Sequence, residues 1–409
     1  MKESEVIESR EIDWSEYAFD NVLRAFINTS FYRQLPVAAW RLPNQQAQHV
    51  ILDTSEKASL TDWQLEELAP GFIASPFINA EEKSPYIRAD IYYCSGESEC
   101  ETVSGSNQVD EVYSYLHQQL KKQPSAQVHT APLDTSFSSS KATTFNSMVA
   151  KAVEAIERGD FKKVVPSRSK LVPLPDNFDA ARTFQQLCDT YPAAFISLFY
   201  NTGVGTWMGA SPEILVSTYR KEQRKIFQTI ALAGTQPVQG KDPLKNAAWR
   251  QKEIEEQAMV SRYIINCFKK IRLREFDEDG PKTTAAGNLL HLRTDFTVDM
   301  EATNFPELGS VMLKLLHPTS AVCGMPKQPT LDFIQQHEGY DRSFFSGFLG
   351  PVNMKEEIHL FVNLRCMQLL DQQAILYAGA GVTIDSEPQR EWKETEMKMR
   401  TIQQLIGND

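Results

Sequence analysis

The chain has 409 residues, of which 42% are hydrophobic and 23% charged, and these values are close to those of ordinary soluble globular proteins. Its 42 Lys and Arg residues are outnumbered by 53 Asp and Glu residues. The resulting formal charge of -11 argues against nucleic acid or an anionic membrane surface as a general partner. A small anionic ligand would therefore require a local basic pocket.

The six cysteines are scattered, with no CxxC pair and no Cys/His spacing typical of a zinc site. The first 14 residues are charged and lack an apolar centre, and the sequence has no run of about 18 apolar residues. These features predict a cytoplasmic protein with reduced thiols and with neither a signal peptide nor a membrane span.

The first third of the chain contains strand-like segments, such as residues 86–93, and a polar helix near residues 111–122, but no chemical motif. Residues 130–144 are rich in Ser and Thr and poor in large apolar side chains, which is typical of an exposed connection. We therefore predict an N-terminal subregion, residues 1–140, that completes the sheets, and a second region, residues 141–409, that carries the motifs.

In the second region, apolar residues recur at helical spacing in residues 146–158, and long helices are predicted at residues 249–271 and 391–406. Strands outnumber helical crossovers and often follow tight turns. This pattern favours an α+β fold in which large antiparallel sheets are flanked by helices in one compact unit. The predicted strands cover residues 163–165, 194–200, 213–219, 225–232, 358–370 and 374–378.

Three glycine-containing turns follow strand-like sequence: residues 231–235 (ALAGT), 346–350 (SGFLG) and 378–381 (AGAG). Glycine lets backbone amides approach a ligand, and successive N–H groups can bind a carboxylate or phosphate. Ordinary tight turns are the alternative. None of the three matches a GxGxxG or P-loop pattern, which weakens any nucleotide-binding interpretation.

One arginine is predicted to lie on a mostly buried strand. In residues 358–370, alternate positions from Ile358 to Cys366 are apolar and Arg365 is on the opposite face. A buried guanidinium needs an anionic partner, which could be the carboxylate of a ligand or a side chain in a structural salt bridge.

The two long predicted helices also carry acidic side chains. Two carboxylates from separate helices could hold one Mg2+ ion and leave room for water and substrate oxygens, and solvated helix faces are the alternative. These residues are Glu253, Glu255 and Glu256 on the first helix and Glu391, Glu394 and Glu396 on the second.

Two further residues are candidates for acid–base chemistry. Lys163 lies in the segment FKKVVPSR, where burial among apolar neighbours would favour its neutral form and let it act as a base. An ordinary surface lysine is the alternative. Glu213, in GASPEIL, is a possible acid, and its alternative is a carboxylate at the end of a turn.

Taken in order, these segments resemble the family of chorismate-utilising enzymes, which includes isochorismate, salicylate, anthranilate and aminodeoxychorismate synthases. The resemblance covers most of the chain from residue 145 to the end and is weak in the N-terminal third. It is carried by FKKVVPSR, GASPEILVS, ALAGTQP, EEQAMV, LLHPTSAVCGMPK, EGYDRSFFSGFLGPV, LRCMQL and YAGAGVTIDSEPQREWKETEMKMR.

The resemblance implies a role for each matching position. Lys163 is expected to be the base that activates water, and Glu213 the acid opposite it. Glu256 and Glu394 are expected to be the ligands of a Mg2+ cofactor, which makes residues 141–409 a chorismate-binding catalytic region. The expected substrate-binding residues are Gly234, Thr235, His291, Ala321, Arg365, Gly379, Gly381 and Lys398.

Two positions discriminate among family members. Enzymes that add ammonia usually have Gln at the position of Lys163, and lyase-competent or aminating relatives commonly have Thr at the position of Ala321. The resemblance therefore implies that water is added to chorismate and that the reaction stops at isochorismate. The alternatives are a salicylate synthase, which would also expel pyruvate, and a non-catalytic chorismate-binding relative. Pro166 and Cys323 depart from the family pattern and concern local geometry.

The implied partner is chorismate alone, with no nucleic acid, no membrane and no obligate amidotransferase subunit, and a monomer is favoured.

Overall fold

The computed structural model describes residues 13–55, 59–103, 107–122, 126–128, 130, 138–238, 242–286 and 289–406. Within these residues lie nine α-helices and two short 3-10 helices, Trp14–Glu16 and Leu65–Glu67. The α-helices are α1 (Phe19–Arg33), α2 (Asn107–Lys122), α3 (Ala142–Glu157), α4 (Ala180–Thr190), α5 (Pro243–Asn246), α6 (Gln251–Lys270), α7 (Leu308–Leu316), α8 (Lys327–His337) and α9 (Pro388–Ile406).

The same part of the chain contains twenty strands. They are β1 (Val37–Arg41), β2 (Gln48–Leu52), β3 (Ser59–Asp62), β4 (Gly71–Ser75), β5 (Lys83–Arg88), β6 (Ile91–Cys94), β7 (Glu101–Thr102), β8 (Lys163–Val164), β9 (Ser167–Pro173), β10 (Phe195–Asn201), β11 (Gly205–Ser211), β12 (Ile214–Lys221), β13 (Arg224–Pro237), β14 (Asp277–Ala286), β15 (Leu289–Asp299), β16 (Gly324–Met325), β17 (Phe348–Val352), β18 (Ile358–Val362), β19 (Cys366–Leu370) and β20 (Gln373–Gly379).

The strands form two nine-stranded sheets and one small sheet. The first large sheet has the order β7-β6-β2-β1-β10-β11-β19-β20-β9, and the second has the order β14-β15-β13-β12-β18-β17-β4-β5-β3. Strands β16 and β8 form the small sheet. The pairs of strands are antiparallel. The predicted α+β fold with large antiparallel sheets flanked by helices is confirmed.

Apolar residues cover both faces of each large sheet, because the sheets pack on each other and helices pack outside them. Along β10, Ile196 and Leu198 face a cluster with α1, α2, α4 and α9, whereas Phe195 and Phe199 face the space between the sheets. Helices α3, α6, α7 and α8 cover the second sheet. The rings of Phe195 and Phe361 stack between the sheets with centroids 4.1 Å apart.

Two predicted strands are wrong because each is two strands that belong to different sheets. Residues 358–370 form β18 in the second sheet and β19 in the first. Between them Arg365 has a φ of 48°, a left-handed conformation that interrupts an extended chain. Residues 86–93 likewise divide between β5 and β6. There the carboxylate of Asp90 accepts hydrogen bonds from the backbone N–H and the hydroxyl of Thr54.

The N-terminal part of the chain contributes strands to both large sheets. Strands β1, β2, β6 and β7 belong to the first sheet and β3, β4 and β5 to the second. Residues 131–137 of the predicted connection, and residues 1–12 at the N-terminus, lie outside the described residues. The division of the chain at residue 140 stays a prediction. In the described ranges, none of the helices combines the length and the apolar character needed to cross a bilayer.

Candidate active site

A cavity of about 740 Å³ lies where α6, α9 and the ends of several strands meet. Most of the predicted site residues line it, although they come from distant parts of the sequence. The predicted residues that form part of its wall are Glu213, Gly234, Thr235, Glu256, His291, Ala321, Arg365, Gly379, Gly381, Glu394 and Lys398.

Lys163 stands directly behind this wall and joins it through an ion pair. Its side chain is 1% exposed, and its Nζ lies 2.8 Å from Oε1 of Glu256. The lysine begins β8, which is held on one side by β16 and on the other by two backbone hydrogen bonds between Val164 and Val382. Lys163 is therefore not an ordinary surface lysine. It is a buried lysine with an acidic partner.

Close approach of this ion pair depends on Gly381. A Cβ atom built on Gly381 would overlap with Oε1 of Glu256 and lie 3.2 Å from Cε of Lys163. The glycine-containing turn at residues 346–350 has steric reasons for its glycines, because a Cβ on Gly347 or Gly350 would overlap with a backbone oxygen, and the turn at residues 378–381 has one at Gly381. The reason at Gly381 is space for two charged side chains of the protein itself.

Glu213 follows β11 and is buried at the cavity wall. Burial raises the pKa of its carboxyl group from 4.5 to about 8, and the charges of Lys163 and Lys398 oppose this shift without cancelling it. At neutral pH the group therefore carries a proton, which a carboxylate at the end of an exposed turn would not. Its backbone carbonyl accepts a hydrogen bond from the N–H of Val362, which fixes the turn before β12.

The two predicted metal ligands, Glu256 and Glu394, come from α6 and α9 and line the same cavity. Burial raises the pKa of Glu256, but Lys163, Lys252 and Lys398 outweigh burial and hold it below its usual range. Glu394 Oε1 lies 2.8 Å from Nζ of Lys398, which also donates a hydrogen bond to the carbonyl of Gly379. Both carboxylates also line an adjoining cleft of about 1100 Å³, so they stand where the cavity meets the outside.

These two carboxylates fit a Mg2+ ion better than a metal ion that needs three or more protein ligands. In the part of the chain that the structure describes, no group of three or more His, Cys, Asp and Glu residues is arranged to hold a metal. Mg2+ is commonly bound by only one or two carboxylates together with water and substrate oxygens. Oxygen donors from two helices, open to a cavity, match that requirement.

His291 and Arg365 form a hydrogen-bonded unit in the wall. The Nη2 of Arg365 lies 2.9 Å from His291 Nε2, and His291 Nδ1 lies 2.8 Å from the carbonyl oxygen of Gly234. Because a guanidinium has only donors, Nε2 accepts and Nδ1 carries the hydrogen that is donated to Gly234. Burial, together with the charge of Arg365, lowers the pKa of His291 to about 3, so the imidazole is neutral. Burial also lowers the pKa of Arg365, to about 10, and the group stays charged at neutral pH.

Three of the four remaining acidic candidates on the two helices pair with basic side chains. Glu253 pairs with Arg250, Glu391 with Lys252, and Glu396 with Arg168 and Lys170. Glu255 is exposed and accepts a hydrogen bond from Gln251. Spacing along the sequence did not separate these residues from Glu256 and Glu394, because the choice depends on which helix face meets the cavity.

Several wall residues were not singled out from the sequence. Phe345 and Tyr377 stack with ring centroids 5.4 Å apart and supply an apolar wall. Arg342 is buried beside them. Its signal in the sequence was the pair Glu338 and Arg342 at four-residue spacing within EGYDRSFFSG, which resembles an ordinary exposed helix pair.

The two departures from the family pattern lie beside the site. Pro166 falls between β8 and β9, where the chain passes from the small sheet to the first large sheet. Because Pro166 lies outside both strands, its missing N–H costs no ladder hydrogen bond. Cys323 is buried, with its Sγ 3.4 Å from the hydroxyl of Thr330.

Comparisons with known proteins agree with this architecture. The profile of the family described as "Chorismate binding enzyme" matches residues 56–407. The chain is 30% identical over 270 residues to the isochorismate synthase EntC of Escherichia coli K12, a match that covers 65% of this chain and 67% of that protein. It is 27% identical over 308 residues to the isochorismate synthase DhbC of Bacillus subtilis, with 72% and 73% covered.

Among solved structures, the menaquinone-specific isochorismate synthase MenF of Escherichia coli has the same fold, with a TM-score of 0.73 and 19% identity over 96% of this chain and 92% of that one. Because the family profile covers most of the chain, including the second large sheet and the cavity between α6 and α9, the chain belongs to the family of chorismate-binding enzymes.

Proposed function

We propose that this protein is an isochorismate synthase, an isomerase that converts chorismate to isochorismate. The observation that carries the proposal is the presence, at one cavity, of a buried lysine and a carboxyl group that burial keeps protonated at neutral pH. A protein that only binds chorismate has no need of an acid and a base. The similarity to relatives named isochorismate synthases supports the same activity.

The reaction needs one proton to be removed and one to be delivered. In the proposed mechanism, a water molecule attacks C2 of the ring, and Lys163 in its neutral form accepts a proton from that water. The ring double bonds shift, the C4–O bond breaks, and Glu213 gives its proton to the departing hydroxyl group. Water is consumed at C2 and released at C4, so substrate and product are isomers and the reaction is reversible.

The carboxylates of chorismate require positive charge and hydrogen-bond donors. Arg365 and Lys398, with the backbone around Gly379 and Gly381, are proposed to bind them, because these groups lie on the same wall of the cavity. His291 holds Arg365 through its Nε2 and the carbonyl of Gly234 through its Nδ1. Gly234 and Thr235 thereby connect the end of β13 to the arginine that would contact the substrate.

A Mg2+ ion is proposed as the cofactor, held by Glu256 and Glu394, and when bound it supplies charge neutralisation for a substrate carboxylate. Glu256 is already paired with Lys163. The lysine and a cation therefore compete for the same carboxylate.

Ala321, which lines the cavity, supports a reaction that stops at isochorismate without loss of pyruvate. Lys163 supports water rather than ammonia as the nucleophile, so we propose that the protein acts without an amidotransferase subunit and as a monomer. A cytoplasmic location stays a prediction.

Incubation of the purified protein with chorismate and Mg2+ tests the activity. We expect isochorismate, separated from chorismate by liquid chromatography, to reach the same equilibrium ratio from either compound, and we expect EDTA to abolish turnover. Release of pyruvate together with salicylate fluorescence would instead identify a salicylate-forming enzyme. Binding of chorismate without any product would identify a non-catalytic relative.

Replacement of the proposed base tests its role. We expect Lys163→Ala to lower kcat by about 10²- to 10⁴-fold, the usual contribution of a positioned acid or base, while chorismate still binds in a calorimetric titration. The matched control is Lys162→Ala, because Lys162 is the adjacent lysine, is exposed and is not among the residues that line the cavity. Unchanged turnover in Lys163→Ala would contradict the assignment.

Glu213→Gln tests the proposed acid through activity and through stability. Below pH 4.5 the carboxyl group is protonated in both the folded and the unfolded states. Between pH 4.5 and about 8 the folded state keeps a proton that the unfolded state releases, so the free energy of unfolding falls as the pH rises. Gln cannot ionise, and we therefore expect the melting temperature of the variant, relative to the wild type, to increase across this window.

The same Glu213→Gln variant should lose about 10²- to 10⁴-fold in kcat, because it has no proton to give. Glu157→Gln, at an exposed position on α3, is the control and should change neither quantity. A melting-temperature difference for Glu213→Gln that is independent of pH would show that the buried carboxyl group does not have the raised pKa.

Gly381→Ala tests the metal site without removing a ligand. The added Cβ would displace the carboxylate of Glu256, so we expect the dissociation constant for Mg2+ in the presence of chorismate to rise by about 10- to 100-fold. In Gly379→Ala the nearest atom to the new Cβ lies 3.2 Å away, and this control should change Mg2+ binding much less. Equal effects of the two substitutions would argue against Glu256 as a ligand.

A further inference from the structure

A second buried ion pair, distinct from Lys163–Glu256, lies at the wall of the cavity, which Arg342 helps to line. Glu338 follows α8 and pairs with Arg342, and both side chains are 2% exposed. Arg342 Nε donates to Glu338 Oε2 at 2.8 Å, and its Nη2 donates to Oε1, so the pair is bidentate. The aromatic ring of Phe77 lies under the guanidinium, 4.2 Å from its centre.

The remaining hydrogen bonds of this pair go to two segments of the site. Arg342 Nη2 donates to the carbonyl of Val165 at 2.7 Å, and Nη1 donates to the carbonyl of Val322 at 2.9 Å. Glu338 Oε1 accepts a hydrogen bond of 2.6 Å from the N–H of Ser167. The pair is therefore bonded on both sides of Pro166, just after Lys163, and also beside Ala321.

Burying such an ion pair costs free energy, because both charged groups lose their hydration. Removing two charges from water costs several kcal/mol for each ion, and a well-packed apolar pair of similar volume is often at least as stable. A guanidinium nevertheless does what an apolar side chain cannot, because its planar fork reaches a carboxylate and two carbonyl oxygens from one point. Arg342 therefore fixes the positions of Glu338, Val165 and Val322 relative to one another.

We propose that Glu338 and Arg342 are positioning residues for the reaction at this cavity, because they set the distance between the strand of Lys163 and the loop of Ala321. This inference rests on the proposed function for its kinetic consequence. Lys163 has to meet a water molecule on one face of the ring while Ala321 contacts the substrate. A displacement of about 1 Å between the two segments is enough to lower the rate about 100-fold.

Arg342→Lys is the primary variant, because lysine keeps the charge and loses the fork. We expect kcat for chorismate to fall by roughly 10- to 100-fold, with KM changed less than about threefold, because the proton-transfer geometry suffers more than binding. The control is Arg220→Lys, since Arg220 forms an exposed pair with Glu356. Glu338→Gln is the second variant, and it should give the same split between kcat and KM if Arg342→Lys does not fold.

Hydrogen–deuterium exchange provides a readout that is independent of turnover. In Arg342→Lys we expect faster exchange of backbone amides in residues 161–170 and 318–325, with exchange in β10 unchanged. Faster exchange with an unchanged kcat would reduce the pair to a structural role and overturn the proposal. A raised KM at an unchanged kcat would also overturn it, because Arg342 would then act as a substrate ligand.

The proposed function can fail separately. If the wild-type protein forms no isochorismate but another product from chorismate, the exchange measurement and the kcat for that product still test the positioning role. Unchanged exchange in both segments would contradict it whatever the product is.

Discussion

The ion pair between Lys163 and Glu256 is the constraint on which the rest of the site depends. A lysine that is almost completely buried requires a partner, and that partner is supplied by α6, which packs on the second large sheet. Strand β8 must therefore approach α6 closely, which is possible because residue 381 has no side chain. A hydrogen bond from Nζ of Lys398, on α9, to the carbonyl oxygen of Gly379 links α9 to the turn that contains Gly381.

The ionisable side chains at the cavity include groups that burial keeps neutral and carboxylates that are paired with lysines. Burial keeps two of the groups neutral, since it raises the pKa of Glu213 and lowers that of His291. The carboxylates of Glu256 and Glu394 each have a lysine within 2.8 Å. Under the proposed function, a dianionic substrate would enter a site whose carboxylates are already paired with lysines, and it would meet the positive charge of Arg365.

The sequence was informative where one residue type has few structural uses. Alternating apolar residues and tight turns were enough for the α+β class. The turn at residues 378–381 was predicted to let backbone amides approach a ligand, and in the structure Gly381 makes space for the side chains of Lys163 and Glu256. Spacing alone could not separate Glu256 from Glu253, because both lie on α6 and only the packing of the helix selects the face. Strands β14 and β15 were missed, and β14 (DEDGPKTTAA) lacks the apolar alternation of a half-buried strand.

The prediction for residues 358–370 failed for a different reason. The apolar alternation is real on both sides of Arg365, yet the chain changes sheets at that residue, and no local pattern records a change of sheet. Arg342 was overlooked because four-residue spacing of opposite charges is common on helix surfaces. Its importance depends on contacts with residues 165 and 322, which are remote in sequence.

The strand order determines which parts of the chain must meet during folding. Strand β1 pairs with β10, so that Val37 lies opposite Tyr200, and β4 pairs with β17, so that Ser75 lies opposite Phe348. Contacts between such distant residues close large loops, and folds with many such contacts form slowly because the loop-closure entropy is lost before the contacts stabilise the chain. During synthesis on the ribosome, the N-terminal strands emerge long before their partners. The second sheet is completed only after most of the polypeptide has been made, which leaves β4 with an unpaired edge until then.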